Sequence, residues 1–147
     1  MTTDPIAWGA LTMLRRIAFS ILLLATCAIL PFRPAEALTP GTWSGWYQCA
    51  QGKTGLTLEI QRLPDNTLGG RFIFYPMAEN PGVPSGEFEI RVVPGFRYTF
   101  IEPVRWLRQP YGYQMVAMAG QMDERAATYV GQIGTRGCNE FFLTRIR

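Results

Sequence analysis

The chain has 147 residues with 14 basic and 11 acidic side chains, a net charge of +3, and no histidine. This excludes histidine-dependent nucleophile pairs, histidine metal ligands and histidine acid–base catalysis. The small, scattered excess of positive charge calls for no polyanionic partner.

The first predicted element is a leader. Met13-Leu14-Arg15-Arg16 is a positive start, and Ile17 to Leu30 is a mostly apolar run of fourteen residues. Ala35-Glu36-Ala37 then matches the small-x-small pattern of signal-peptide cleavage. The run is short of the ~20 residues of a membrane span, so a helical signal peptide over 1–37 is expected rather than a retained anchor. Residues 1–12 carry no basic charge, which makes Met13 an alternative start. Leu24-Ala25-Thr26-Cys27 is similar to a lipoprotein signal. Thr26 is a poor residue before a lipid-bearing cysteine, however, and apolar Ala28-Ile29-Leu30 is an atypical mature start, so Cys27 is assigned to the leader. Removing 1–37 leaves one domain, 38–147, with a net charge of +2 and Lys53 as its lone lysine.

Beyond the leader, hydrophobicity alternates with period two. Trp43 to Cys49 reads as a strand that sends Trp43, Gly45, Tyr47 and Cys49 to one face and Ser44, Trp46 and Gln48 to the other. Trp43 is therefore expected in the core and Trp46 nearer solvent. Leu56, Leu58 and Ile60 mark the inner face of the next strand, Leu63 to Thr67 a turn, and Phe72 with Phe74 a third strand. Residues 75–88 hold a long loop with Pro76, Pro81 and Pro84, an ordered excursion that could line one side of a ligand mouth. Phe88, Ile90 and Val92 oppose Glu87, Glu89 and Arg91 in a fourth strand. Pro94-Gly95 suits the centre of a type II turn, and Arg97 to Glu102 returns with Tyr98 and Phe100 on one face. Val104 to Gln109, between Pro103 and Pro110, is too short for a regular helix and reads as a proline-braced, non-strand element. Tyr113 to Ala119 is apolar on both faces and expected to be central; Gln121 to Arg125 is a turn. Ala127 to Ile133 is a strand, Thr135 to Asn139 a turn, and Glu140 to Ile146 a last strand. About eight short strands predict an all-β fold, an antiparallel barrel or sandwich.

Cys49 and Cys138 are expected to form one disulfide across 89 residues, worth at most ~4 kcal/mol of loop entropy. The pair also tests topology. Cys49 lies at the exit of the first strand and Cys138 before the entrance of the last. In a closed up-and-down meander an even strand number brings those points to the same end, and an odd number separates them. The disulfide thus favours an eight-stranded closed barrel, provided the Cα atoms lie within about 7 Å.

The candidate binding surface is "PVRWLRQPYGY", residues 103–113, which joins Trp106, Tyr111 and Tyr113 to Arg105 and Arg108. Aromatic and arginine side chains are the usual anchors of interfaces. They could equally seal a barrel mouth. Trp46 is a further candidate. Glu87 and Glu89 share a strand face, and a carboxylate hydrolase would need both to line a cleft. No carboxylate spacing suits a metal loop, and no cofactor is expected.

The segments "GTWSGWYQCAQGKTGLTLEI", "PVRWLRQPYGYQMVAMAG" and "YVGQIGTRGCNEFFLTR" resemble a set of small exported bacterial domains of unassigned function. More loosely, Tyr47-Gln48-Cys49 and the late Cys138 are similar to the periplasmic inhibitors of c-type lysozyme, small eight-stranded barrels tied by such a disulfide. Ser85-Gly86 resembles their inhibitory Ser-Gly loop, while their following aromatic spacing and second, lysine-bearing motif are not found here. The expectation is an exported, periplasmic or secreted, non-enzymatic binding module for a protein or envelope glycan, with lysozyme inhibition as the alternative. Nucleic acid is not an expected partner, and membrane contact is expected only through the leader.

Overall fold

The computed structural model describes residues 38–147. The leader expected over 1–37, with Met13 and Cys27, lies outside the described residues. The described chain is all-β: β1 (Gly41–Cys49), β2 (Gly52–Arg62), β3 (Leu68–Tyr75), β4 (Gly86–Pro94), β5 (Thr99–Arg108), β6 (Met118–Asp123), β7 (Thr128–Ile133) and β8 (Cys138–Arg145). Each strand pairs antiparallel with the next, and β8 returns to β1, so the eight strands form a closed barrel.

Alternation decides what the barrel encloses. Trp43 and Tyr47 of β1, Leu56, Leu58 and Ile60 of β2, Phe72 and Phe74 of β3, and Phe88, Ile90 and Val92 of β4 are all buried. Phe141 and Leu143 of β8 complete the seam, facing Tyr47 and Gly45 in register. The inner phenyl rings are packed against one another: Phe72 stacks on Phe88 at 4.4 Å and meets Tyr47 edge-on at 5.6 Å. Gly70 allows a tight approach of β3 to β2, because a β-carbon there would overlap the Glu59 carbonyl oxygen.

The disulfide joins Cys49 to Cys138, whose Cα atoms are 3.8 Å apart, opposite one another across the β1–β8 pair. The barrel thus has a disulfide end and an opposite end where the chain enters. At the entry end Leu38 is fully buried and the Trp43 indole N–H donates to the Thr39 carbonyl at 3.1 Å. The turns there are short: 63–67, 95–98 and 124–127. The two long connections, 76–85 and 109–117, both lie at the disulfide end.

Three local expectations are corrected. Residues 103–108 are strand, not a separate element: β5 runs through Pro103 to Arg108, with register shifts where it pairs with Glu87/Phe88 and Glu89/Ile90. Proline is tolerated because it sits beside a bulge, beyond the three residues of β5 that pair with β6. Gly95 does not adopt positive φ; the β4–β5 connection is a four-residue loop closed by the Gly95 N–H donating to Tyr98 O at 2.9 Å. As expected, Tyr98 and Phe100 share one face; it is the outer one, and Thr99 and Ile101 face inward. Finally, residues 113–117 are outside the strands, and β6 extends through Gln121 to Asp123.

Tyr129 is fully buried and donates its hydroxyl proton to Thr99 O at 2.7 Å. Burial pushes its pKa up from 10.0. Above about pH 10 the unfolded phenol releases a proton that the folded one keeps, so the unfolded state binds fewer protons and stability falls as pH rises. Tyr47, also raised by burial, acts in the same direction. Denaturant midpoints are therefore expected to drop above about pH 10, and Tyr129→Phe should flatten that drop while costing about 1 kcal/mol at neutral pH.

Candidate functional site

At the disulfide end the barrel opens into a mouth of about 350 Å³. Its floor is Phe74 and Phe88; its sides include Tyr47, Tyr113, Val116 and the disulfide itself. Phe74 is the hub. Tyr113 stacks on it at 5.6 Å, and Trp106 meets it edge-on at 6.3 Å while touching Phe88 at 5.3 Å. The β5 register shift explains how Trp106 reaches this position: it faces Phe88 in the ladder, so its ring points inward beside an outward Arg105.

Two turns flank the mouth. Pro110 to Tyr113 closes with the Tyr113 N–H donating to Pro110 O at 3.2 Å, and Gly112 takes φ 76°. Thr135 to Cys138 closes with the Cys138 N–H donating to Thr135 O at 3.0 Å, and Gly137 takes φ 83°. Positive φ at the third residue is the signature of a type II turn and is best met by glycine. Each turn therefore holds its second residue at a corner: Tyr111, fully exposed, in one and Arg136 in the other.

The polar groups of the mouth are mostly uncharged. Gln51 donates to the Tyr47 hydroxyl and to Thr54 Oγ1, both at 3.4 Å, and Thr54 donates to Gly52 O at 3.2 Å. Burial first, and then the neighbouring Tyr113, pushes the Tyr47 pKa up from 10.0. Among the described residues Arg136 is the one cation lining the mouth, and no carboxylate lines it.

The sequence candidates separate into three places. Of the aromatic candidates Tyr113 lines the mouth, Trp106 is packed on Phe74 and Phe88, and Tyr111 stands fully exposed on the turn next to the lining residue Gly112. Arg105 and Arg108 lie on the outer wall: Arg105 makes two bonds to Glu89, at 2.7 and 2.6 Å, and Arg108 stands opposite Glu87. Trp46 is also on the outer face, on β1, with the Lys53 ammonium 4.5 Å from its ring centre. The 76–85 loop contributes no residue to the mouth lining. It is pinned instead by Asn80, which donates to Gln51 O (2.7 Å) and Lys53 O (3.1 Å), and by buried Val83.

A larger outer groove of about 630 Å³ crosses β2 to β5 past Glu59, Arg71, Glu89 and Arg91. Most of its charges are already committed to one another. Arg71 bonds Glu59 and reaches Glu87 at 2.8 Å, and Glu89 holds Arg105. A ligand there would have to displace exposed but well-formed ion pairs, whereas Arg136 at the mouth has no ion-pair partner among the described residues. Glu87 and Glu89 thus stand on the outer wall, each bonded to a guanidinium. Among the described residues no cluster of acidic or cysteine side chains could hold a metal ion.

Sequence reasoning missed Arg136, Gln51 and Tyr47 as neighbours of one site. The signal was present in the cysteines: Arg136 precedes Cys138 by two residues and Tyr47 precedes Cys49 by two on the same face. Once the disulfide marks one end of the barrel, both residues belong there. Set against known proteins, the chain matches no family model, no curated protein and no solved structure.

Proposed function

We propose that the chain is an exported, non-enzymatic binding module of the bacterial envelope, periplasmic or secreted, whose ligand engages the disulfide end of the barrel. The observation that carries this reading is the mouth: an aromatic floor, uncharged hydrogen-bonding groups, and two rigid turns presenting Tyr111 and Arg136 at its rim. A concave site with an apolar lining and a few convergent polar groups is the usual form of a ligand site. Export is supported by the leader pattern of residues 13–37 and by the disulfide, a bond of oxidising compartments.

Tyr111 makes the test clean, since it is fully exposed whereas Trp106 is part of the packing. Affinity capture from envelope extract with wild type and Tyr111→Ala should differ in at least one captured species, with thermal stability unchanged. Identical captured sets would overturn the mouth as the binding site.

Lysozyme inhibition is the second reading. Ser85 is exposed at the start of β4, at the same end of the barrel, and Gly86 is buried where a β-carbon would overlap the Phe74 ring. A Ser-Gly loop braced against the core could enter an enzyme cleft. Full residual activity of c-type lysozyme titrated with the pure protein would end this reading.

A further inference from the structure

Resting on the binding-module reading, we infer that the mouth receives the C-terminal carboxylate of a peptide whose last residue is apolar. Three features of the site combine to select this chemistry.

Charge comes first. Arg136 lines the mouth, and among the described residues no acid pairs with it. The carboxylates toward this end are placed elsewhere: Glu79 faces Lys53 at 3.6 Å, Glu87 bonds Arg71 at 2.8 Å, and Glu140 stands exposed on β8 opposite Gln132. A guanidinium with open donors favours a planar carboxylate, which it can bind through two parallel bonds. The turn that carries it is anchored by Gly137 and by the adjacent disulfide, so little order is lost on binding.

Apolar surface comes second. Phe74, Phe88 and Val116 reach the mouth only by their edges, at 2%, 1% and 7% exposure, and the partly buried Tyr113 ring, stacked on Phe74, gives the wider apolar face. This surface suits a hydrocarbon or aromatic side chain next to the carboxylate and gives little to a highly hydroxylated sugar acid. Peptide-bonding groups come third: the amides of Gln51 and Gln114 and the side chain of Thr135 also line the mouth. They can bond the amide groups of a terminal peptide, which a simple fatty acid lacks. The volume, about 350 Å³, suits the last residues of a chain rather than a folded surface.

The experiment is calorimetric titration of the full chain with three probes: acetyl-Ala-Ala-Phe as free acid, the same peptide as its C-terminal amide, and octanoate. The free acid is expected to bind at least about tenfold more tightly than the amide, a ratio typical of losing one charge-assisted bond pair, and more tightly than octanoate, which keeps the carboxylate but lacks the peptide groups. Arg136→Gln should weaken the acid by a similar factor and leave the amide unchanged, and Arg136→Lys should restore only part of the loss. If acid and amide bind equally and Arg136→Gln changes neither, the carboxylate inference fails while the mouth remains a ligand site. If octanoate equals the peptide acid, the peptide assignment fails. If none of the probes binds, the inference is overturned, and the capture comparison with Tyr111→Ala decides the binding-module reading by itself.

Discussion

Replacing both cysteines, as Cys49→Ala with Cys138→Ala, is expected to lower the unfolding free energy by as much as about 4 kcal/mol. The bond closes a loop with a sequence separation of 89, so cutting it releases a large restriction on the unfolded chain. It also clamps, among the described residues, the one strand pairing that joins strands not consecutive in sequence, the β1–β8 seam, at the point where the register shifts between Tyr47 and Cys49. The other neighbours are joined by their own connections and re-form locally. The seam has to be found across the whole domain. Urea unfolding should show a lower midpoint with an intact two-state transition, and wild type under reducing conditions should approach the double variant. A shift below about 1 kcal/mol would mean that the Trp43–Arg145 to Tyr47–Phe141 ladder closes the barrel unaided.

Phe72→Ala is expected to cost about 3–5 kcal/mol. Phe72 is fully buried and lies at the junction of Tyr47, Phe74 and Phe88. Strands hold these rings at fixed points of a closed wall, so neighbours can collapse into the vacancy only in part. The effect should reach the mouth, because Phe74 and Phe88 form its floor and carry Tyr113 and Trp106. Weaker binding of the peptide acid should therefore accompany the lost stability in Phe72→Ala, whereas Tyr111→Ala should separate the two. A loss below about 2 kcal/mol would show that the barrel contracts around the gap.

The inner face of the barrel was legible because alternation reports it directly. Trp43, Leu58, Phe74, Ile90 and Leu143 all point inward as their spacing requires. Alternation failed at β5. The bulge at Val104 shifts the count by one, so Trp106 faces inward; Leu107 is skipped at a second bulge and stays exposed, and a proline that suggests a strand break is absorbed beside the first. A rule of strict period two cannot see an inserted residue. Similarly, Arg105 looked like part of an aromatic-arginine surface because it adjoins Trp106 in sequence. In a strand, adjacent residues face opposite sides, and Arg105 bonds Glu89 on the outer wall.

By itself the sequence determined the all-β class and about eight strands, because periodic apolar residues must be buried on one face. It left barrel and sandwich open; the cysteine pair favoured an even-stranded closed meander, and the β1–β8 pairing of the structure decided closure. The tertiary structure alone decided which residues share the mouth. Gln51, Tyr113 and Arg136 come from three separate connections, and their meeting depends on barrel curvature and on two glycine-dependent turns. That convergence is a property of distances across the chain, and local pattern carries no record of it.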